Sequence, residues 1–414
     1  SLVLRGDYGF VGNDAAVSYN EYDATYFIMS NGGQPAYIIH QLGNDKLTWE
    51  KVRSFDFALE TRLFDRWNVS MEYFDKKTKD LIFSVYNPIS AGGTGAYNDF
   101  YSSVTKNIGS ISNRGFEIGS DVDIFRNKDW KVNMSANATF IKNKVTRLPD
   151  DNKEGIITGL YRIDEGKSMY DYWLYSYVGV DQMTGKALYK ADMDLYKVVD
   201  AEGAVLAGNP DGADISKEAV CIGGQYYVNT VAHALKEHHG SGMPKVYGSF
   251  GPTVSYKSLT FSALFTYSLG AKIYDAVYKE LMSSSTSPHS YHADIAKSWN
   301  GVPEGMTEES PDRIWKDGIP QINSYTSDDN NAQSSRWLVS GNYIALKNIY
   351  LGYDLPKQWV SKLSLEGVRV SLSCENLFVS AKRKGLDPQQ NYSGYHTVLT
   401  STPRVFTVGL NVKL

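Results

Sequence analysis

The chain has 414 residues, of which 21% are charged, with a net charge of -4 and a mean hydropathy of -0.35. No stretch approaches the roughly 18 consecutive apolar residues of a membrane helix; there is no basic field for nucleic acid; and two cysteines, Cys221 and Cys374, make no disulfide framework. The unusual feature is aromatic: 30 Tyr, 16 Phe and 8 Trp, 13% of the chain, which leaves open a membrane barrel, whose alternating strands hide their apolarity from any window average.

The opening "SLVLRGDYGF" reads directly as a strand near 2–10 rather than as a signal peptide, so the expectation is that the natural start was removed or the chain is a fragment. A less regular strand follows near 24–30. Alternation then becomes strict. Phe55, Phe57, Leu59 and Leu63 oppose Asp56, Ala58, Glu60 and Arg62, and Val69, Met71 and Tyr73 oppose Asn68, Ser70 and Glu72. Phe116, Ile118, Val122 and Ile124 oppose Glu117, Gly119, Asp121 and Asp123, and Val132 to Phe140 repeats the pattern against Lys131 to Thr139. Strands near 170–180 and 186–190 are expected next, the second largely from topology. Those near 246–257, 259–269 and 341–353 follow, then Val368, Val370, Leu372 and Cys374 against Arg369, Ser371, Ser373 and Glu375. In the terminal "RVFTVGLNVKL", Phe406, Val408, Leu410, Val412 and Leu414 share one parity. The count is about thirteen strands.

The apolar parity holds roughly three dozen positions without an Asp, Glu, Lys or Arg, which both a lipid-facing barrel wall and a sandwich core would demand. The connections discriminate. Tight joints at 64–67, 126–129, 181–185 and 256–258 alternate with long segments near 31–50, 76–113, 142–169, 191–245, 270–340 and 379–403. That is the rhythm of an outer-membrane barrel with short periplasmic turns and long extracellular loops. Phe64, Trp67, Phe125, Trp130 and Tyr256 fall at the short turns, the level of an aromatic girdle. Pro252 interrupts its strand, where a bulge or a later strand start is expected. Because bacterial barrels have even strand numbers, an odd count suggests that the N-terminal part of the barrel is missing.

The stretches "LRGDYGFVGN" (4–13), "LTWEK" (47–51), "YFDKKTKDLIF" (73–83), "NIGSISNRGFEIG" (107–119), "GVDQMTGKALY" (179–189), "GNYIALKNIYLGYDLP" (341–356), "GVRVSLSCENLF" (367–378) and "GLDPQ" (385–389), in this order, resemble the SusC/RagA-type TonB-dependent transporters of the Bacteroidetes outer membrane. The resemblance implies an all-β fold, the C-terminal portion of an antiparallel transmembrane β-barrel of about 22 strands with a plugged lumen. It also implies an N-terminal plug and a TonB-engaging segment, neither visible in residues 1–414. By the same resemblance the expected function is TonB-dependent import of an oligosaccharide or peptide, with a SusD-like surface lipoprotein as partner. Two departures are Leu414, where the family ends on an aromatic, and Ala345, where an arginine is common.

For the polar parity, Asp56, Glu60, Glu72, Glu117, Asp121, Asp123, Arg369 and Glu375 are expected to face the lumen, contacting ligand or plug or forming a solvated wall. Among loop aromatics, Tyr291, Trp299, Trp315 and Trp337 are the expected ligand contacts, since sugar C–H faces suit aromatic surfaces. Trp173, Tyr175 and Tyr177 read as loop or girdle packing. His233, Glu237, His238 and His239 match no zinc spacing and read as exposed loop residues, His233 and Glu237 sharing a helix face. "SDDNN" (327–331) offers oxygen ligands for Ca²⁺ but lacks the EF-hand glycine and distal Glu, so no cofactor and no metal site is expected. There is no nucleophile elbow, P-loop or HExxH, and no enzyme activity is expected. The competing class is a secreted or surface-attached all-β binding protein whose strands alternate for a different reason.

Overall fold

The computed structural model describes residues 1–15, 17, 19–86, 103–107, 109–148, 152–200, 203–283, 290–391 and 393–414. Its main feature is one antiparallel sheet of ten strands. In chain order these are β1 (Leu2–Asn13), β2 (Glu50–Leu63), β3 (Trp67–Lys79), β4 (Ser110–Arg126) and β5 (Trp130–Arg147). They continue as β6 (Val246–Tyr256), β7 (Leu259–Leu269), β8 (Tyr343–Asp354), β9 (Gly367–Ala381) and β10 (Val405–Lys413). Each pairs with its sequence neighbour, and most are 11 to 18 residues long, about twice the usual soluble strand.

Register converts alternation into two faces, because residues directly opposite across a ladder project to the same side. One apolar row runs Phe57, Tyr73, Phe116, Phe140, Val246 and Leu269. Another runs Val132, Val254, Phe261, Leu351, Leu372 and Val408. A slip of one residue would replace these rows with the other parity, bringing Asp56, Glu72 or Glu117 into them in β2–β4. The tight joints form as expected: Phe64 and Asp65 both take positive φ, 51° and 55°, as a two-residue hairpin turn requires. Trp130 and Tyr256 meet beside the next two turns with ring centroids 4.4 Å apart.

Three expected strands lie outside this sheet. Residues 24–30 form a hairpin, Thr25–Asn31 with Gln34–Leu42, within the connection between β1 and β2. Residues 170–180 split into Asp171–Tyr175 and Tyr177–Asp181, which enter two separate small sheets, and Ala187–Lys190 pairs with the second. The physical reason is visible in burial: Ala187, Leu188 and Tyr189 are all fully buried, so these strands are covered on both faces and never alternate as a two-faced wall must. Residues 148–245 thus form one excursion between β5 and β6, and the "DQMTG" turn lies inside it. The short/long rhythm survives, and the large sheet has ten strands in place of the odd number expected.

Pro252 also behaves differently from expectation. Strand β6 runs through it without bulge or late start, in unbroken register with β5, while the ladder to β7 lapses at Gly251 and Pro252 and resumes in the same register. A Cβ on Gly251 would lie 2.1 Å from the Ala263 carbonyl oxygen, so glycine lets β7 approach the gap left by the missing donor. A bulge does occur at Ile124, after Asp123.

The hydrophobic core is not in the large sheet. Its three clusters, around Tyr189 and Tyr196, Tyr172 and Trp337, and Leu148 and Ile163, are built mainly from the long connections. Among the described residues none forms a layer over the apolar face of the sheet: Phe406 is 74% exposed, Leu410 70% and Phe116 53%. A sandwich core is therefore excluded. Replacing mid-strand Ile118 by Arg is expected to cost about 2–4 kcal/mol in a bilayer, whereas Ser70→Arg on the opposite face is tolerated; urea unfolding of the folded protein in lipid, read by heat-modifiable gel mobility, checks the contrast.

Candidate functional site

The second face of the sheet is mostly polar, and register puts all eight residues expected there on it. Register aligns Asp56 with Phe74, Glu60 with Ser70, and Glu72 directly with Glu117. Asp121 and Asp123 lie beside Ser135 and Asn133, whose amide nitrogen donates to both carboxylates at 3.3 and 3.2 Å. Glu60 pairs with Arg5, and Arg369 holds Asp354 through two bonds of 2.7 and 2.6 Å. Glu375 stands opposite Asn348. Asn137 bridges β5 and β6 by donating to Ser249 Oγ at 2.7 Å. This wall is wet and hydrogen-bonded, with carboxylates outnumbering cations toward β1–β5.

The long connections attach to this polar face. Val145, Ile111 and Asn143 share its parity; Val145 and Ile111 pack with Leu148, Ile156 and Ile163, and Asn143 Oδ1 accepts from the Met169 amide at 2.9 Å and Ser168 Oγ at 3.1 Å. At the same end of the sheet a cavity of about 400 Å³ lies between the row Tyr247, Ser268, Tyr343 and the segment containing Gln389 and Asn391. Of these lining residues, Gln389 and Asn391 have side-chain oxygens, Oε1 and Oδ1, that are buried within the protein without a hydrogen-bond partner, although their amide nitrogens are used locally, donating to Asp387. Buried acceptors of this kind are costly unless something donates to them.

Buried ionic links hold the connections together. Asp181 accepts from Arg313 Nε and Nη2 at 2.8 and 3.1 Å, with side-chain exposures of only 1% and 7%. It also takes the Met183 amide and Thr184 hydroxyl. Burial alone would push the Asp181 carboxyl up, but these donors outweigh it and hold it below the ordinary carboxylate value. Asp275 plays a similar part, receiving Arg383 and His396, each at 2.7 Å, and so joins residues 270–342 to residues 382–404. The Arg336 guanidinium lies 4.3 Å over the Trp337 ring and 5.7 Å from that of Tyr177; burial lowers its pKa and pushes the Tyr177 hydroxyl up to about 12.

Residues 2–205 match the family model described as "TonB dependent receptor-like, beta-barrel". Residues 2–205 thus carry a TonB-dependent receptor-like β-barrel domain. It is 26% identical over 436 residues to TonB-dependent receptor P3 of Formosa agariphila, covering 99% of this chain and 39% of that receptor. It is 24% identical to TonB-dependent receptor SusC of Bacteroides thetaiotaomicron over 89% of this chain and 32% of that receptor. The RagAB peptide transporter has the same fold, with a TM-score of 0.74 at 22% identity over the whole chain and 41% of its own. The chain thus spans about two-fifths of the length of the relatives it matches. These relatives are receptors rather than enzymes, and the protein described here is an outer-membrane protein.

Within this protein the expected aromatic contacts separate. Trp337 is fully buried, and its Nε1–H donates to the Ala332 carbonyl at 2.8 Å, so it has no face to offer a ligand and serves as core. Trp299 donates to the Gln182 carbonyl at 2.9 Å and its ring covers Gly185, whose φ of 70° and missing Cβ admit it. Trp315 pairs with Val180 in a short ladder. Both therefore brace the Asp181 turn, and Tyr291 alone of the four is well exposed. The histidines depart from expectation too: His238 lies 2.6 Å from Asp164, His239 3.1 Å from Ser176 Oγ, and neither is exposed. Glu237 sits on a strand, Lys236–Ser241, and shares no helix with His233. In "SDDNN", Asp329 accepts from the Val231 amide and Asn330 from the Ala187 amide at 2.8 and 3.0 Å, using oxygens a cation would need.

Sequence reading had no signal for the Asp181–Arg313 link, 132 positions apart, beyond the turn-forming D-x-x-T. Removing one partner, Arg313→Met, is expected to destabilise the loop assembly by about 3–5 kcal/mol, with much of the loss recovered in the double replacement; limited proteolysis of residues 148–245 reads it. Because the folded Asp181 value lies below the unfolded one, this stabilisation is present at neutral pH and lost as pH falls through the depressed value, below about 3.9. Asp181→Asn should lack that acid-dependent step in protease sensitivity.

Proposed function

We propose that the chain forms part of the barrel through which an oligosaccharide or peptide nutrient is imported, by TonB-dependent transport, across the outer membrane. The observation that carries this reading is the asymmetry of the ten-stranded sheet. Among the described residues no protein layer covers its apolar face, and its polar face supports the folded connections and a cavity. In this reading the polar face is the lumen wall, and strands beyond the free edges of β1 and β10 close a barrel of about 22 strands around a plug. An open strand edge is untenable in hydrocarbon. The energy coupling acts through a TonB-engaging segment outside the chain described, and a SusD-like surface lipoprotein caps the loops. RagAB, which shares the fold, is a peptide transporter, and this favours a polymeric cargo without deciding between peptide and glycan. A secreted binding protein would have to cover the Phe116 and Phe406 rows, and a passive porin would not need TonB.

Deleting the gene for the full-length receptor should abolish uptake of its nutrient, and loss of TonB should do the same with the receptor still assembled. Uptake that persists without TonB would reject active import in favour of passive diffusion. Within the cavity, Asn391→Ala and Tyr343→Ala are expected to lower uptake about three- to tenfold each, the effect of one or two hydrogen bonds. Surface abundance by whole-cell labelling should stay unchanged.

A further inference from the structure

On the lipid-facing side of β2–β5 the cross-strand rows change character abruptly toward the long connections. The row Leu59, Met71, Ile118, Ala138 is followed by the aromatic row Phe57, Tyr73, Phe116, Phe140. The next row is Phe55, Asp75, Arg114, Lys142; then Arg53, Lys77, Ser112, Lys144; then Lys51 opposite Lys79. Each row lies about 6–7 Å further along the strands, so cations begin one step above the aromatic belt, where hydrocarbon gives way to headgroups. Arg53 is held by Asp75 at 2.9 Å and Lys51 by Asp80 at 3.3 Å. Among the described residues, no carboxylate lies within 4.0 Å of Lys77, Lys79, Arg114, Lys142 or Lys144. All but Lys77 are exposed. Arg114 faces Lys142 directly, an arrangement that destabilises a sheet unless an anion lies between. The basic sector does not extend to β1, whose Tyr8 and Phe10 stand opposite Phe55 and Arg53.

We propose that this basic sector binds the phosphorylated headgroup of an outer-leaflet glycolipid, with Arg114, Lys142, Lys144 and Lys77 contacting phosphate and the Phe116–Phe140 row contacting the upper acyl chains. Arg presents a fork that matches phosphate and Lys a mobile point charge. Basic side chains just outside the hydrocarbon recognise anionic headgroups through this combination. The ligand is a lipid rather than a free anion because the cations adjoin an apolar surface on the membrane side, not the lumen; Lys76, on the same strand, projects to the polar face with Asn113.

The full-length receptor, purified from outer membranes in mild detergent, is titrated with diphosphoryl lipid A, with the dephosphorylated lipid and with inorganic phosphate. Binding should be at least tenfold tighter to the phosphorylated lipid. It should fall by a similar factor in R114Q/K142Q/K144Q and remain unchanged in K76Q. Equal binding of the two lipids, or an undiminished triple variant, would overturn the proposal, as would displacement by inorganic phosphate at concentrations equal to the lipid. Should the triple variant fail to assemble, the comparison of the two lipids on the unaltered receptor decides the matter alone. Failure here leaves the import reading untouched, since TonB-dependent uptake is measured separately.

Discussion

In hydrocarbon no water is present to satisfy a backbone amide or carbonyl, so a chain that crosses by strands must hydrogen-bond each one to a neighbour. The rest of this structure follows from that constraint. Strands of 11 to 18 residues pair in sequence order, and period-two geometry then sorts every side chain to lipid or to water. Within the apolar band charge is absent from one parity and gathered on the other, down to the opposed Glu72 and Glu117.

The ordinary logic of a soluble domain reappears above the membrane. There the connections have water on their outer surface and build cores of their own, with Tyr172, Tyr189, Tyr196 and Trp337 fully or almost fully buried. Separate connections are tied by the Asp181–Arg313 pair and by Asp275 with Arg383 and His396. Links of this kind fix the shape of the assembly more than they add net stability. The cavity lined by Tyr247, Tyr343, Gln389 and Asn391 lies at the junction of the two regimes.

The wall was legible in the sequence because alternation is a local signal: Phe55 to Leu63 or Val368 to Cys374 declare their face without any partner. The folded connections were not. Strands such as Ala187–Lys190 are buried on both sides and resemble fragments of wall strands, and tryptophans in a long connection look available whether they become core, as Trp337 does, or remain partly exposed. The eight polar residues were placed by parity alone, whereas Asp181, Arg313 and Asp275 draw their importance from partners more than a hundred positions away. A cation outside the apolar band reads as ordinary surface until register shows that Arg114 lies beside Lys142.

The central claim is that lipid covers the apolar parity and water the other. It is tested most directly by placing spin labels singly at Val370, Ser371, Leu372 and Ser373 of β9 in the receptor reconstituted in bilayers and measuring collision with oxygen and with a water-soluble nickel chelate. Labels at Val370 and Leu372 should favour oxygen, and those at Ser371 and Ser373 the chelate, with a period of two residues. Uniformly low access to both reagents at Val370 and Leu372 would mean that protein covers that face, and would contradict the account.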